Sequence, residues 1–400
     1  MAMRTLLLSS TSITPTCGAV VPWRHCGWSL VRSPQASRSV HCRSSPENRE
    51  HMGHPADLSE CSRPKGRAVA LGVDVGADGM TAVVSDGRGR VVRSLERPVP
   101  KDCRSDGRRL AEEIGGAVAS LCASAVDELS DEGKDRTAQA PALIVGVCVP
   151  GVVDEDRGQI CRSAALGLQD VPLASHVSRF LPVPAESAKV LLYQDARCGA
   201  WAESRWGAGG ASCLYLSIGK SIASAVLLDG VPAPGGDRAG QVGQVLVSDP
   251  DWSGERARLE DVASVDAMVG RYTAGIVDDS AASLNSSDGF STGGAGSSAS
   301  GLESLLSAMR SGDREARRVW DTGLDALADL IARGAGLLGP LDVVVSSELT
   351  RAGEAVFLEP LRGRVADLMA GLPAPSLLSA RLGKTGSALG ASGRALEDWQ

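Results

Sequence analysis

The chain contains ten cysteines, and their spacing can indicate a disulfide framework or a zinc site, because thiols form disulfides and bind zinc. Four lie in a Pro- and Ser-rich leader and six are scattered singly through the rest: Cys17, Cys26, Cys42, Cys61, Cys103, Cys122, Cys148, Cys161, Cys198 and Cys213. No two are spaced as CxxC, which argues against a zinc site and against a disulfide framework. We expect buried free thiols that pack like small apolar side chains.

The composition excludes several classes of protein. The chain of 400 residues carries a formal net charge of −7 and has no concentrated basic stripe, so nucleic acid is disfavoured as a partner. It has no run of about eighteen apolar residues, which disfavours a membrane span. Hydrophobic residues make up 43% but aromatic ones only 3%, as expected for an α/β core of small aliphatic side chains. At this length we expect two lobes or domains.

Residues 1–64 differ in composition from everything that follows. Up to Pro46 they contain no Asp or Glu, and their arginines stand among many serines. This composition is typical of an organelle transit peptide. The alternative, which we favour, is that translation begins at Met52 and that the leader is not part of the natural protein. In either case the leader shows no pair of amphipathic helices, so no helix-turn-helix is predicted.

From Ala68 onward, strand and helix patterns alternate. Two β-rich runs flank the turn Asp86-Gly87-Arg88-Gly89, which predicts a strand, a tight hairpin and a second strand. Helical spacing follows over residues 109–129, and the run ALIVGVCVPG predicts a further strand. The same succession returns in the second half. Residues 278–300 are almost entirely Ser, Gly, Ala, Asn and Asp, which predicts a flexible surface insertion.

Strand-hairpin-strand-helix units occur twice, each with a Gly-bearing turn. They suggest the duplicated actin-like ATPase (ribonuclease H-like) fold, an α/β architecture with two lobes around a central cleft. The order of local motifs resembles the ROK family of bacterial glucokinases, other hexose and acylamino-sugar kinases, and sugar-responsive repressors. The segments that carry this resemblance are LGVDVGADG, GVCVPGVVD, YQDARCGAWAESRWGAG, SIGKSIASAVLLDG, AGQVGQ, LEDVAS and LGKTGSALGA. It implies an N-terminal lobe at 67–183, a C-terminal lobe at 184–384 and a closing helix at 385–400 that returns to the first lobe.

The resemblance implies a catalytic base. In a kinase of this family an aspartate accepts the proton of the sugar hydroxyl that attacks the γ-phosphoryl group of MgATP, and Asp195 matches its position. A second interpretation of Asp195 is a cap for the helix predicted after it. Asp74 and Gly76 match the first phosphate loop, where a water-mediated magnesium contact is implied. Nucleotide binding is therefore assigned to Asp74, Gly76, Asp78, Gly219, Lys220 and Ser221.

Both phosphate loops depart from the family pattern. Ala77-Asp78 stands where the family has Gly-Thr, and a bare carboxylate there would repel a γ-phosphate by about 4 kcal/mol at 4 Å and an effective dielectric near 20. After Gly219, the side chains of Lys220 and Ser221 replace a Gly-rich backbone. Lys220 is either a substitute phosphate ligand or a residue that pairs with Asp78 across the cleft and fills the place of the nucleotide. We favour the second interpretation, because it explains both unusual residues.

The sugar contacts of the family are altered as well. The resemblance assigns substrate binding to Gln194, Gln241, Gln244 and Glu260, and the three glutamines stand where the family has Asn, Glu and His. Glutamine still donates and accepts, so a working pocket and a reshaped or vacant one both remain open. The family's zinc ligands are missing, since residues 251–258 contain no Cys or His. We predict no metal site and expect packing to hold this loop.

Three functions remain open at this stage. We favour a sugar-kinase-like protein that is weak or inactive as a phosphotransferase and acts by binding a sugar or a partner. The alternatives are an active ATP-dependent hexose kinase of the glucokinase type, with ATP and Mg2+ as cofactors, and a sugar-responsive regulator that lacks its DNA-binding module. The expected ligand is a hexose or an acylamino sugar. Family habit suggests a homodimer, and we expect a cytoplasmic location.

Overall fold

The Val-rich runs of the sequence form two five-stranded sheets in the computed structural model. The structure describes residues 68–129, 142–184, 187–233, 235, 238–283 and 298–399, which all belong to one compact unit spanning Ser62–Gln400. The leader at 1–64 lies outside the described residues, so both interpretations of it stay predictions.

The first sheet forms from a three-stranded meander followed by two parallel strands. The elements of the first half are β1 (Ala68–Val75), β2 (Gly79–Ser85), β3 (Val91–Pro98), α1 (Gly107–Leu129), β4 (Ala142–Val149), β5 (Val152–Asp154), β6 (Gln159–Ser163), β7 (Leu168–Val171), α2 (Leu173–Ser178) and β8 (Ala188–Gln194). The strand order is β3-β2-β1-β4-β8, with β1 antiparallel to β2 and parallel to β4. The short strands β5, β6 and β7 form a separate antiparallel sheet.

The predicted boundary between the lobes at 183/184 is too early. β8 pairs in parallel with β4 from Ala188 to Gln194 and is the fifth strand of the first sheet. The predicted C-terminal lobe at 184–384 therefore contains a strand of the first sheet.

The second sheet repeats the first. The elements of the second half are α3 (Asp195–Trp206), β9 (Cys213–Ile218), β10 (Ile222–Leu228), β11 (Val231–Pro232), β12 (Leu246–Ser248), β13 (Arg256–Arg258), α4 (Leu259–Ala263), α5 (Val265–Ser283), α6 (Ser298–Ser311), α7 (Arg314–Leu338), β14 (Asp342–Ser347), α8 (Leu358–Leu368), β15 (Leu377–Ser379) and α9 (Gly386–Trp399). The strand order β11-β10-β9-β14-β15 and the strand directions match those of the first sheet. The duplication is therefore present in the backbone, as the sequence predicts.

The closing helix α9 returns to the first lobe and packs directly on its sheet. Gly72 of β1 and Gly146 of β4 face the backbone carbonyls of Ala388 and Ala391, and a β-carbon at either glycine would collide with them. The close approach of helix and sheet thus depends on two residues without side chains.

The cysteines behave as the sequence predicts. All six that the structure describes are free thiols, and Cys103, Cys148, Cys198 and Cys213 are buried in apolar clusters or beside them. The predicted flexible insertion at 278–300 overlaps two helices, since α5 continues to Ser283 and α6 starts at Ser298; residues 284–297 lie outside the described residues. No helix in the described parts of the chain has the length and apolarity needed to cross a membrane.

Candidate functional site

The junction between β8 and α3 carries the central residues of the site. β8 ends at Gln194 and α3 begins at Asp195, whose Oδ1 accepts a hydrogen bond of 2.7 Å from the backbone N–H of Ala196. Asp195 is the first residue inside the helix, and the cap position belongs to Gln194, so the structure does not show Asp195 as the cap of the second interpretation. Its surroundings show more than a helix start, because a second carboxylate lies close to it.

That second carboxylate is Asp74, at the end of β1. Burial and, as a smaller cause, the negative charge of Asp74 together raise the pKa of Asp195 to about 7. Burial also raises the pKa of Asp74, to about 6, although the Cys148 thiol opposes this by donating a hydrogen bond of 3.5 Å to its carboxylate. A carboxyl group that changes charge near neutral pH is suited to accept a proton from a hydroxyl group.

Gln194 is a buried amide that has no hydrogen-bond partner. Its side chain is 2% exposed, and neither Nε2 nor Oε1 finds a partner within the described residues. A β-carbon on Gly240 would lie 3.8 Å from this Nε2, which places the amide beside the turn that carries Gln241. A buried polar group without a partner costs about 1–3 kcal/mol, so a donor and an acceptor from a ligand would satisfy this site.

Gln241 links its own turn to a second turn that is far away in the sequence. Its Nε2 donates a hydrogen bond of 3.0 Å to the carbonyl oxygen of Gly151, in the turn between β4 and β5. Gly151 has a φ of +117° and Gly240 a φ of +88°, both in the region that favours glycine. The two turns that meet here thus need their glycines, and the donor capacity of Gln241 is partly taken by the protein itself.

Gln244 and Glu260 form a second polar group together with an arginine. Gln244 Nε2 donates to Glu260 Oε1 at 2.6 Å, and Arg258 lies 3.3 Å from the same carboxylate. Arg258 also pairs with Asp261 at 2.7 Å. The predicted sugar-binding carboxylate Glu260 thus shares one guanidinium group with Asp261, and sequence reasoning did not assign this arginine to the site.

Ion pairs as well as packing hold the loop at 249–258. Asp251 accepts from Arg271 at 2.8 and 3.1 Å and from Arg318 at 2.8 Å. The expectation that packing alone holds the loop is thus incomplete, because Asp251 is fixed by two guanidinium groups. In the part of the chain that the structure describes, no group of three or more His, Cys, Asp or Glu residues is arranged to hold a metal ion.

The two phosphate loops are joined by the ion pair that the sequence suggested. Lys220 Nζ pairs with Asp78, and Arg104 pairs with the other oxygen of the same carboxylate at 2.7 Å. Asp266 lies 3.9 Å from Lys220. The predicted pairing of Lys220 with Asp78 is confirmed, and Arg104 is an additional partner. Because two cations flank Asp78, the repulsion of about 4 kcal/mol for a bare carboxylate is an upper limit.

The loop amides are used inside their own turns. Gly76 N–H donates to the Gly79 carbonyl at 2.8 Å, and Gly219 N–H donates to the Ser221 carbonyl at 3.0 Å. Gly76, Gly219 and Ser221 thus lie in the loops where the sequence places them. Neither glycine N–H is directed at a partner in the other loop.

Two further carboxylates, the partly buried Glu155 and the buried Glu203, were missed by the sequence reasoning. Glu155, after β5, contacts α3, α9 and the backbone of Gln194. Glu203, near the end of α3, is 2% exposed and accepts backbone N–H groups of Ala208, Arg381 and Leu382 at 2.8–2.9 Å. The only signal in the sequence was an acidic residue within a largely apolar helix segment, which applies to Glu203 alone.

The repeated strand order and the cleft define a class, the duplicated actin-like ATPase fold of sugar kinases. Within that class, the model of the ROK family matches residues 70–397, and the chain belongs to this family. Both conclusions confirm what the motifs predicted.

Relatives of two kinds resemble the chain. A glucokinase of Thermotoga maritima is 28% identical over 312 residues, which cover 74% of this chain and 87% of that protein. The crystal structure of a ROK hexokinase from Thermus thermophilus has 25% identity and a TM-score of 0.60, and the match covers 83% of this chain and 99% of that chain. A transcriptional regulator of Mycobacterium tuberculosis is 26% identical over 291 residues, 70% of this chain and 58% of the regulator. Family membership alone therefore does not choose between catalysis and regulation.

Proposed function

We propose that this protein binds a hexose or an acylamino sugar between its lobes and is weak or inactive as a phosphotransferase. The observation that carries this proposal is the ion pair of Lys220 with Asp78. It joins the two loops that would have to surround the phosphate groups of a nucleotide. A triphosphate would have to break this pair or bind beside it, and it would meet the carboxylate of Asp78 in either case.

The sugar side of the cleft supports a binding role. The side-chain amide of Gln194, next to Asp195, has a donor and an acceptor that find no partner among the described residues. A hydroxyl group of a sugar both donates and accepts, so it could satisfy this amide.

One observation favours a second candidate, an active hexose kinase. The pKa of Asp195 lies at about 7, in the range where a carboxylate acts as a general base under physiological conditions. The pair of Lys220 with Asp78 is about half exposed, and such pairs contribute only about 0–1 kcal/mol. If MgATP binds, Asp74 is the carboxylate placed to reach the metal through water, and the phosphates would compete with Asp78 for Lys220.

Calorimetric sugar binding and a coupled phosphorylation assay separate these candidates. We expect a sugar from a panel of glucose, mannose, N-acetylglucosamine and N-acetylmannosamine to bind without measurable turnover. Gln194→Ala should weaken this binding at least tenfold, since the ligand loses its buried amide, whereas the exposed Gln169→Ala serves as the matched control.

Two results would overturn the proposal. Robust turnover that disappears in Asp195→Ala would establish the kinase instead. Failure of every sugar in the panel to bind would reject the ligand class. The nucleotide part is tested separately by ATP affinity in Asp78→Thr: tighter binding supports a blocked cleft, and unchanged binding shows that the ion pair is not the obstacle.

A further inference from the structure

Glu155 lies in the turn after β5, and its carboxylate contacts three segments that are far apart in sequence. It pairs with Arg394 of α9 at 2.8 and 3.3 Å and with Arg197 of α3 at 3.6 Å. The oxygen Oε1 also accepts the backbone N–H of Gln194 at 3.2 Å. The side chains of Glu155, Arg197 and Arg394 are only 12–18% exposed. This is a buried charge cluster at the start of α3.

The partners of Glu155 are themselves held in place. The Arg394 guanidinium lies 4.2 Å from the centre of the Tyr193 ring, and the Tyr193 hydroxyl donates to Asp398 at 2.7 Å. Arg394 is therefore restrained by its carboxylate and by an aromatic face. Two arginines restrain the position of the Glu155 carboxylate. The carboxylate in turn restrains the N–H group that donates a hydrogen bond to it.

We propose that Glu155 is a positioning residue for the sugar pocket. It touches no ligand, and it acts through the backbone of Gln194. That backbone group lies at the end of β8, one residue before Asp195, and the Gln194 side chain makes no capping bond to α3. The hydrogen bond to Glu155 thus fixes where the Gln194 amide and the Asp195 carboxylate lie. The inference rests on the proposed function in one respect, namely that these two side chains face the ligand.

Two substitutions separate positioning from charge compensation. Glu155→Asp keeps the negative charge beside Arg197 and Arg394 but is one methylene shorter, so it cannot hold both the arginines and the Gln194 N–H. Glu155→Gln keeps the length and an acceptor oxygen but leaves the two arginines without their carboxylate. Glu354→Gln removes a carboxylate from an exposed pair with Arg362 and serves as the control.

Hydrogen exchange of the full-length protein, followed by mass spectrometry over residues 190–197, gives a readout that needs no ligand. We expect Gln194 to exchange at least about tenfold faster in Glu155→Asp, while the midpoint of urea unfolding stays close to that of the unchanged protein. In Glu155→Gln we expect the reverse, a lower midpoint with the local protection largely kept. Equal local protection in Glu155→Asp and in the unchanged protein would overturn the positioning role.

Glucose affinity, measured by calorimetry, connects the position of the backbone to the pocket. We expect Glu155→Asp to raise the Kd at least fivefold and Glu155→Gln to change it less. If exchange responds as expected but neither glucose nor any other sugar of the panel binds either protein, the proposed ligand class is rejected and the positioning role stands. If glucose binds both proteins equally while exchange at Gln194 differs, the link from Glu155 to the pocket is rejected and the proposed function stands.

Discussion

The two ends of the cleft each contain an ion pair, and the two pairs differ in how exposed their side chains are. At the junction of β8 and α3, Glu155 and Arg394 form an ion pair whose side chains are 18% and 12% exposed. At the phosphate loops, Asp78 and Lys220 are 53% and 49% exposed. Breaking a partly buried pair by removing one partner should cost more than breaking an exposed pair, which contributes about 0–1 kcal/mol. The protein therefore fixes the position of Asp195 far more firmly than it fixes the nucleotide side.

This difference gives an account of the unusual phosphate loops. A site that must close around phosphate needs backbone amides and mobile glycines, but here two side chains bridge the loops through solvent-exposed contacts. Beside Asp195, the buried side-chain amide of Gln194 has no hydrogen-bond partner among the described residues. The departures from the family pattern at the phosphate loops thus lie in exposed contacts, where we expect them to have little effect on the stability of the fold.

The largest expected effect is steric. Gly390 of α9 faces the backbone carbonyl of Cys198 on α3, where a β-carbon would collide, whereas Gly219 in the second phosphate loop has no atom within 4 Å of such a carbon. We expect Gly390→Val to lower the free energy of unfolding by more than about 3 kcal/mol, because neither helix backbone can move aside. Gly219→Val should cost less than about 1 kcal/mol. Urea unfolding of both variants checks the comparison, and equal losses would contradict it.

The second expectation concerns Glu203 at the far end of α3. Its carboxylate accepts N–H groups of Ala208, Arg381 and Leu382 and thereby ties α3 to the segment before α9. Glu203→Gln should lower the free energy of unfolding by about 2–3 kcal/mol, because an amide NH2 then faces buried donors. Glu397, in an exposed pair with Arg205, provides the control variant Glu397→Gln. A loss below about 1 kcal/mol for Glu203→Gln would show that these hydrogen bonds do not hold the segment before α9 against α3.

The third expectation is a gain of stability that depends on pH. The pKa of Asp195 rises from 3.8 to about 7 on folding, so between these values the folded state holds more protons than the unfolded state. The free energy of unfolding therefore falls as pH rises from 4 to 7. Asn at this position carries no such penalty. Since the group is partly accessible, we expect Asp195→Asn to be more stable by about 2 kcal/mol at pH 8 and equal at pH 4.

Thermal unfolding across this pH range tests the sign. The exposed Asp102→Asn is the control, because Asp102 lies 65% exposed beside Arg109. A gain for Asp195→Asn that is the same at pH 4 and pH 8 would indicate better packing instead of removal of a buried charge.

Local sequence signals predicted most of the fold. The turn at Asp86-Gly87-Arg88-Gly89 connects β2 and β3, helical spacing marks α1, and the run of Val and Leu residues after Lys189 lies in β8. The lobe to which β8 belongs could not be read locally, because its partner β4 is also a continuous apolar run. Pairing of such strands depends on which sheet edge is open, and this is a property of the assembled chain.

The candidate site was predictable only where one unusual residue explained another. Asp78 and Lys220 stand out in their loops, so their pairing could be proposed from sequence. Glu155 and Arg394 are 239 positions apart and unremarkable where they stand, so nothing local links them. Arg258 was visible in the loop without zinc ligands, but its contact with Glu260 depends on how β13 enters α4.

The smallest expected effect lies at the phosphate loops. Lys220→Met removes one of the two cations that flank Asp78, and Arg104 remains at 2.7 Å. We expect the free energy of unfolding to fall by less than about 1 kcal/mol in 20 mM NaCl and to be unchanged in 500 mM NaCl, because salt screens exposed charges. Lys101→Met, at another exposed lysine, is the control. A double-mutant cycle with Asp78→Asn isolates the coupling energy of the pair. A coupling energy above about 2 kcal/mol would show that this exposed pair is as strong as the Glu155–Arg394 pair is expected to be, and would contradict the difference between the two ends of the cleft.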